Sequence, residues 1–179
     1  MKNNKSMFST QMLVEAGIMV ALSQVLGLFP LYQMPQGGDV SLSMLPIMVF
    51  AIRWGLAPGI LVGVVYGVVS YIIKPYFYHP IQVLLDYPLP SAMIGIAGLS
   101  FSKDKNSYLG YIPSILIAYS LKFLMHFLSG LVFFPPETGS AAKYSFIYNI
   151  TYIGPEIIIF LVVFALLWKP MGKYLRRQY

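Results

Sequence analysis

Residues 121–152 read LKFLMHFLSGLVFFPPETGSAAKYSFIYNITY. One apolar run ends at Phe134, a polar break opens with Pro135–Pro136, and a second apolar run begins at Tyr144. Each run carries a side chain that a hydrocarbon setting excludes unless it serves a purpose, His126 in the first and Asn149 in the second. A chain reversal between two membrane spans brings those two residues toward each other. A helical hairpin in a bilayer is thereby expected here, and the remaining apolar segments extend it.

Composition supports a bilayer setting. Of 179 residues, 58% are hydrophobic and 10% are charged, against about 25% charged in an average soluble domain. So few charges cannot cover a soluble surface. The chain has no cysteine, which excludes disulfides and thiolate metal sites. A net charge of +6 raises the question of nucleic acid. The charges cluster at segment ends, however, which is the membrane pattern and not a nucleic-acid face. The first apolar run is long and has no small-residue cleavage site after it, so it reads as a span and not a signal peptide.

Reading outward from 121–152, we expect a single all-α integral membrane domain over residues 1–179 with six transmembrane helices. The spans fall at 10–31, 42–52, 56–73, 80–101, 108–134 and 144–168, each judged against the roughly 20 residues that cross a bilayer. The segment 42–52 is about half that length and reads as a short or tilted helix broken by Arg53, Trp54 and Gly55. Pro88 and Pro90 interrupt 80–101. In 56–73, Gly59, Gly63 and Gly67 recur every fourth residue, a face that admits close helix approach.

Orientation comes from the basic residues. With both termini cytoplasmic, Lys2, Lys5, Arg53, Lys103, Lys105, Lys169, Lys173, Arg176 and Arg177 lie inside, 9 of the 12. Lys74 and Lys143 lie outside and Lys122 lies within a span. The positive-inside rule selects this arrangement. Trp54 and Trp168 then sit at the inner interface.

Ionisable residues inside spans are costly and are functional candidates by default. At 1.5 Å rise per residue, Asp86, His126 and Asn149 lie roughly 10, 12 and 8 Å below the outer ends of their spans. Three polar groups from three spans thus share one level, ringed by Tyr87, Phe134, Tyr144 and Tyr148. A carboxylate beside aromatic faces suits a small aromatic or cationic ligand in a pocket in the outer half of the bundle. Taken one at a time, the histidine also reads as a packing residue and the tyrosines as interface anchors. Lys122 and Glu156 both fall roughly 18 Å deep. We expect them to pair beneath the pocket as structural support, separate from the site.

Gly37 and Gly38 mark a candidate lid, because glycine lets the backbone fold over a ligand. Gly17 and Ala21, four apart in the first span, form a small-residue face for another helix. No P-loop, H-E-x-x-H or nucleophile motif occurs in the sequence. No catalytic residue and no metal site is therefore assigned.

The ordered set MPQGGDVSLSMLPI (34–47), RWGLAPG (53–59), HPIQVLLDY (79–87), KFLMHFLSGLVFF (122–134) and YSFIYNITY (144–152) resembles the thiamine-specific substrate-binding subunits (S-components) of energy-coupling factor transporters. The resemblance implies capture of thiamine outside a bacterial plasma membrane by a protein that is not an enzyme and holds no cofactor. It assigns Asp86, Tyr87, His126, Gly130, Phe134, Tyr144 and Asn149 to the ligand, and it places Tyr32, Gln36, Gly37 and Gly38 in the lid. Phe134 stands where well-known members carry Trp, and Tyr32 where an aromatic Trp sometimes occurs. Stacking survives those changes but weakens. Glu156 has no recognised counterpart there.

The implied partners are a transmembrane coupling subunit, docked on Gly17 and Ala21, and two cytoplasmic ATPases that alone use ATP. The chain's lack of a nucleotide motif agrees with an outside energy source. Other readings remain open. One is a stand-alone proton-coupled carrier relaying through His126, Lys122 and Glu156. Another is a membrane enzyme with His126 as base and Asp86 as its orienter. A third keeps the fold but binds another vitamin or a pyrimidine precursor.

Overall fold

The hairpin at 32–40 separates the first helix from the rest of the chain, and every other regular element among the described residues is helical. A computed structural model describes residues 9–35, 37–101 and 107–175, with Lys173 described by its backbone alone. Gln36 and six of the basic residues used for orientation (Lys2, Lys5, Lys103, Lys105, Arg176 and Arg177) lie outside the described residues.

The helices are α1 (Thr10–Gly27), α2 (Met44–Trp54), α3 (Leu56–Ile73), α4 (Pro80–Asp86), α5 (Pro88–Ile94), α6 (Ile112–Phe133) and α7 (Ala141–Leu175). Short 3-10 turns at Gly95–Gly98 and Tyr108–Tyr111 follow α5 and precede α6. Four segments are long and apolar enough to cross a membrane: Thr10–Gly27, Leu56–Ile73, Tyr108–Phe133 and Ala141–Gly172. Many large apolar side chains face outward, among them Ile72, Ile158 and Leu166, which is the inverse of a soluble surface.

Local chemistry sets the boundaries. Ser9 caps α1, its hydroxyl accepting from the Met12 N–H at 3.2 Å. Gly55, at φ 91°, separates α2 from α3 in a conformation that side-chain-bearing residues rarely adopt. His79 caps α4 through Nδ1, and Pro80 occupies its first turn.

The structure corrects the expected spans at several points. Residues 80–101 do not form one interrupted helix. Pro88 has no N–H and disfavours helical geometry at Tyr87, which sits at φ −121° and ψ −78°. The chain therefore turns there, and Asp86 becomes the last residue of a short helix. The first span stops at Gly27, short of 31. Residues beyond it form a small antiparallel pair, β1 (Tyr32–Gln33) with β2 (Asp39–Val40), so the expectation of an all-α chain needs this addition. The last helix extends past 168 to Leu175 despite Pro155 and Pro170.

Arg53 was expected in a cytoplasmic loop. It is instead buried in α2, where Nε donates to Glu15 of α1 at 2.7 Å. Glu15 also accepts from Trp54 Nε1 and the Tyr174 hydroxyl, and Arg53 donates to the Tyr174 carbonyl. One carboxylate thus ties α1 to α2 and α7 at the end of the bundle remote from the hairpin. The sequence reading passed over Glu15, although the rule applied to Asp86 covers it equally.

The glycine face of α3 behaves as expected. A Cβ on Gly63 would lie 2.2 Å from the Ser91 carbonyl oxygen, and one on Gly67 would lie 2.4 Å from that of Tyr87. Backbone-to-backbone contact of α3 with α5 requires glycine at both. That contact holds the α4–α5 turn, and hence Asp86, in place against the core.

Candidate functional site

A cavity of about 650 Å³ opens between the hairpin and the helices. The volume lies within the roughly 300–1,000 Å³ typical of small-ligand pockets. All seven residues expected to contact a ligand line it: Asp86, Tyr87, His126, Gly130, Phe134, Tyr144 and Asn149. Gly37 and Gly38 line it as well, whereas Tyr32 is exposed on β1 and does not.

Asp86 ends α4, where the helix dipole disfavours a carboxylate. Two groups compensate. Gln82 Nε2 donates to Oδ2 at 2.6 Å, and His126 Nδ1 lies 3.5 Å from Oδ1. Gln82 is itself fixed, accepting from the Tyr78 N–H and donating to the Tyr76 carbonyl. The carboxylate is thus oriented by a side chain one turn back and remains partly open to the cavity.

Tyr87 offers less than expected. Its hydroxyl donates to the Lys74 carbonyl at 2.9 Å and accepts from the Tyr76 N–H at 3.0 Å. Those bonds commit the oxygen to the loop after α3, so the ring is what Tyr87 presents to the cavity.

Asn149 serves as a strut between α6 and α7. Its amide donates to the Ser145 carbonyl at 2.8 Å and more weakly to the His126 carbonyl at 3.4 Å, while Oδ1 accepts from the Tyr152 hydroxyl at 2.7 Å. Gly130 explains how the two helices come so close. A Cβ there would lie 2.4 Å from Ser145 Oγ, which donates to the Phe127 carbonyl.

Aromatic rings form the mouth. Phe134 lies 5.9 Å from Tyr76 and 5.6 Å from Tyr78 between ring centroids. On the α7 side, Tyr144 and Tyr148 stack at 6.1 Å, and Tyr148 meets Tyr152 edge-on. The hairpin folds against this ladder. The Tyr148 hydroxyl donates to the Gly37 carbonyl at 2.7 Å. A Cβ on Gly38 would lie 2.9 Å from the Tyr152 ring. Gly37 and Gly38 both take φ above +80°, which glycine adopts at no steric cost.

Lys122 and Glu156 pair as expected, Nζ to Oε2 at 2.5 Å, both almost wholly buried. They are not separate from the pocket, because both line its floor. Counting depth along straight helices placed them below the site; the cavity extends further between α6 and α7 than that counting allowed.

Sequence reasoning missed other lining residues: Gln24, Asp39, Tyr66, Ser70, Gln82 and Tyr152. Gln24 was findable as a polar residue in an apolar span. It donates to Ser70 Oγ at 2.9 Å and to the Tyr66 carbonyl at 3.1 Å, joining α1 to α3 beside the cavity. Among the described residues, no group of three or more His, Asp or Glu side chains could hold a metal ion.

Residues 13–175 match the family model described as Thiamine transporter protein (Thia_YuaJ). The chain is 35% identical over 181 residues to the thiamine transporter ThiT of Bacillus subtilis, covering 92% of this chain and 93% of that protein. It is 28% identical over 153 residues to the thiamine transporter ThiT of Lacticaseibacillus paracasei, covering 76% of each. A solved structure of ThiT from Listeria monocytogenes shares the fold, with a TM-score of 0.79 at 24% identity, covering 92% of this chain and 96% of that one.

Proposed function

Since the chain belongs to the thiamine transporter protein family, we propose that it is the thiamine-capturing subunit of an ATP-driven importer, with its ligand held in the cavity lined by Asp86, His126 and Phe134. The family and the apolar helices make it a multi-pass bacterial membrane protein. The observation that carries the proposal is the placement of one partly exposed carboxylate, Asp86, in a cavity walled by aromatic rings.

Thiamine joins a cationic thiazolium to an aminopyrimidine. Asp86 supplies the opposite charge, and the faces of Phe134, Tyr144 and Tyr148 supply stacking and cation–π attraction in a partly desolvated setting. His126 and Gln82 hold the carboxylate in one orientation, which lowers the cost of ordering it on binding. Gly130 and Asn149 keep α6 and α7 at the separation that sets the cavity's width. Closure of the hairpin over Tyr148 and Tyr152 completes the enclosure, with Gly37 and Gly38 as the backbone that allows it.

Six membrane-crossing segments, with both termini cytoplasmic, place the cavity on the outer side. The broken α4–α5 segment and the short, buried α2 count as two of the six. Capture alone moves nothing uphill, and no nucleotide-binding motif occurs in the sequence. The energy comes from partners: a transmembrane coupling subunit and two cytoplasmic ATPases. Gly17 and Ala21 are exposed on the outward face of α1, and a Cβ on Gly17 would meet nothing within 4 Å. A second helix can therefore approach that face closely.

Reconstitution tests the division of labour. Vesicles holding this chain alone should retain thiamine only at the level of its binding sites. Vesicles that also hold the coupling subunit and its ATPases should accumulate thiamine on addition of ATP. Accumulation by the chain alone, driven by a proton gradient, would replace this reading with that of a self-sufficient carrier.

A further inference from the structure

The five charged residues lining the cavity are Asp39, Lys74, Asp86, Lys122 and Glu156. Four of them have partners. Lys122 pairs with Glu156, Asp86 is held by Gln82 and His126, and the Lys74 ammonium donates to the Gly27 carbonyl at 3.0 Å. Asp39 differs. Among the described residues its carboxylate accepts no hydrogen bond and joins no ion pair, although it is partly buried and lines the cavity.

A partly desolvated carboxylate without a partner is costly, and a cation entering beside it removes the cost. We propose that Asp39 is a second anionic contact for the ligand's cation, carried to the cavity by the hairpin. The inference rests on the transport reading above and adds a residue to its recognition chemistry. Because Lys122 already cancels Glu156, the charge open to a ligand comes from Asp86 on the helical wall and Asp39 on the hairpin. A monovalent aromatic cation between them is attracted by both.

The position of Asp39 adds a consequence that Asp86 cannot have. Asp39 lies on β2, opposite Gln33 in the two-strand pair, one residue from Gly38. The hairpin is fastened by the Tyr148 hydroxyl on Gly37 and by the Tyr152 ring against Gly38. A cation bound to Asp39 adds a ligand-dependent fastening to those two. The same contact then reads charge and slows release, since affinity differences between related complexes reside mostly in the dissociation rate.

The test uses the purified full chain in detergent, thiamine, and an uncharged analogue with a thiophene in place of the thiazolium. Asp39→Asn keeps the size of the side chain and leaves the backbone pairing of the hairpin intact. It should weaken thiamine binding by about tenfold or more and raise its dissociation rate, while changing affinity for the neutral analogue by less than about twofold. Asp39→Glu should retain the preference for the cation. Unchanged thiamine affinity in Asp39→Asn, or equal losses for both ligands, would overturn the proposal. Thermal melting and gel-filtration profiles matching the parent exclude misfolding; if Asp39→Asn fails them, Asp39→Ser is read by the same criteria. A parent protein that ignores thiamine contradicts the transport reading itself, a result distinct from any effect of Asp39.

Discussion

His126 Nδ1 lies 3.5 Å from Asp86 Oδ1, joining α6 to the end of α4 in the lining of the cavity. The pair aligns two groups that sequence places forty residues apart, and it leaves the carboxylate one side open. Removal of that carboxylate should therefore act on ligand affinity more than on folding. We expect Asp86→Ala to weaken thiamine binding by roughly 2–5 kcal/mol, the loss of a desolvated charge contact. Equilibrium binding of the purified variant measures it, and a loss below about 0.5 kcal/mol would remove Asp86 from the site.

The buried Lys122–Glu156 pair gives a different signature. Deleting one partner strands the other charge, so Lys122→Met alone and Glu156→Leu alone should each destabilise the protein by about 3–5 kcal/mol. The double variant Lys122→Met/Glu156→Leu should be much less affected, because no charge is left uncompensated. Thermal unfolding in detergent compares the three. Additive losses in the double variant would show that the two residues do not depend on each other.

Much of the fold was legible in 121–152. The polar break between two apolar runs located α6 and α7, and the polar residues within those runs located the cavity. The small-residue rule found the face of α3. What sequence missed has specific causes. Pro88 looked like an interruption within a helix, yet its effect on Tyr87 splits the segment and moves Asp86 to a helix end. Arg53 looked like a loop cation because its partner, Glu15, is 38 residues away in another helix. Asp39 sat in a loop read for its glycines, and nothing local shows that a two-strand hairpin brings it to the cavity lining. The floor pair was found, but straight-helix depth could not show that the cavity reaches it.

Gly130 offers a packing test. Gly130→Ala places a methyl group 2.4 Å from Ser145 Oγ, which forces α6 and α7 apart or displaces the Ser145 hydroxyl from the Phe127 carbonyl. A cost of about 1–3 kcal/mol in stability is expected from such overpacking, together with weaker ligand binding. Gly130→Ala combined with Ser145→Ala should recover part of the stability. No recovery would place the strain elsewhere.

Neither tryptophan lines the cavity. Trp54 bonds to Glu15, and Trp168 packs against Tyr111 and Phe164. Thiamine should therefore quench tryptophan emission weakly, and Phe134→Trp should introduce strong quenching by placing an indole at the cavity mouth. Strong quenching in the parent would show that the ligand binds near one of the native tryptophans and not in this cavity.

One cavity, between the hairpin and α3–α7, is expected to bind thiamine through its cationic and aromatic parts together. Calorimetric titration of the purified chain with thiamine, and separately with its pyrimidine half, tests this most directly. One site per chain, tight binding of thiamine, and much weaker binding of the pyrimidine half, which lacks the charge that Asp86 attracts, are the expected results. Absence of thiamine binding, or equal affinity for the two compounds, would contradict it.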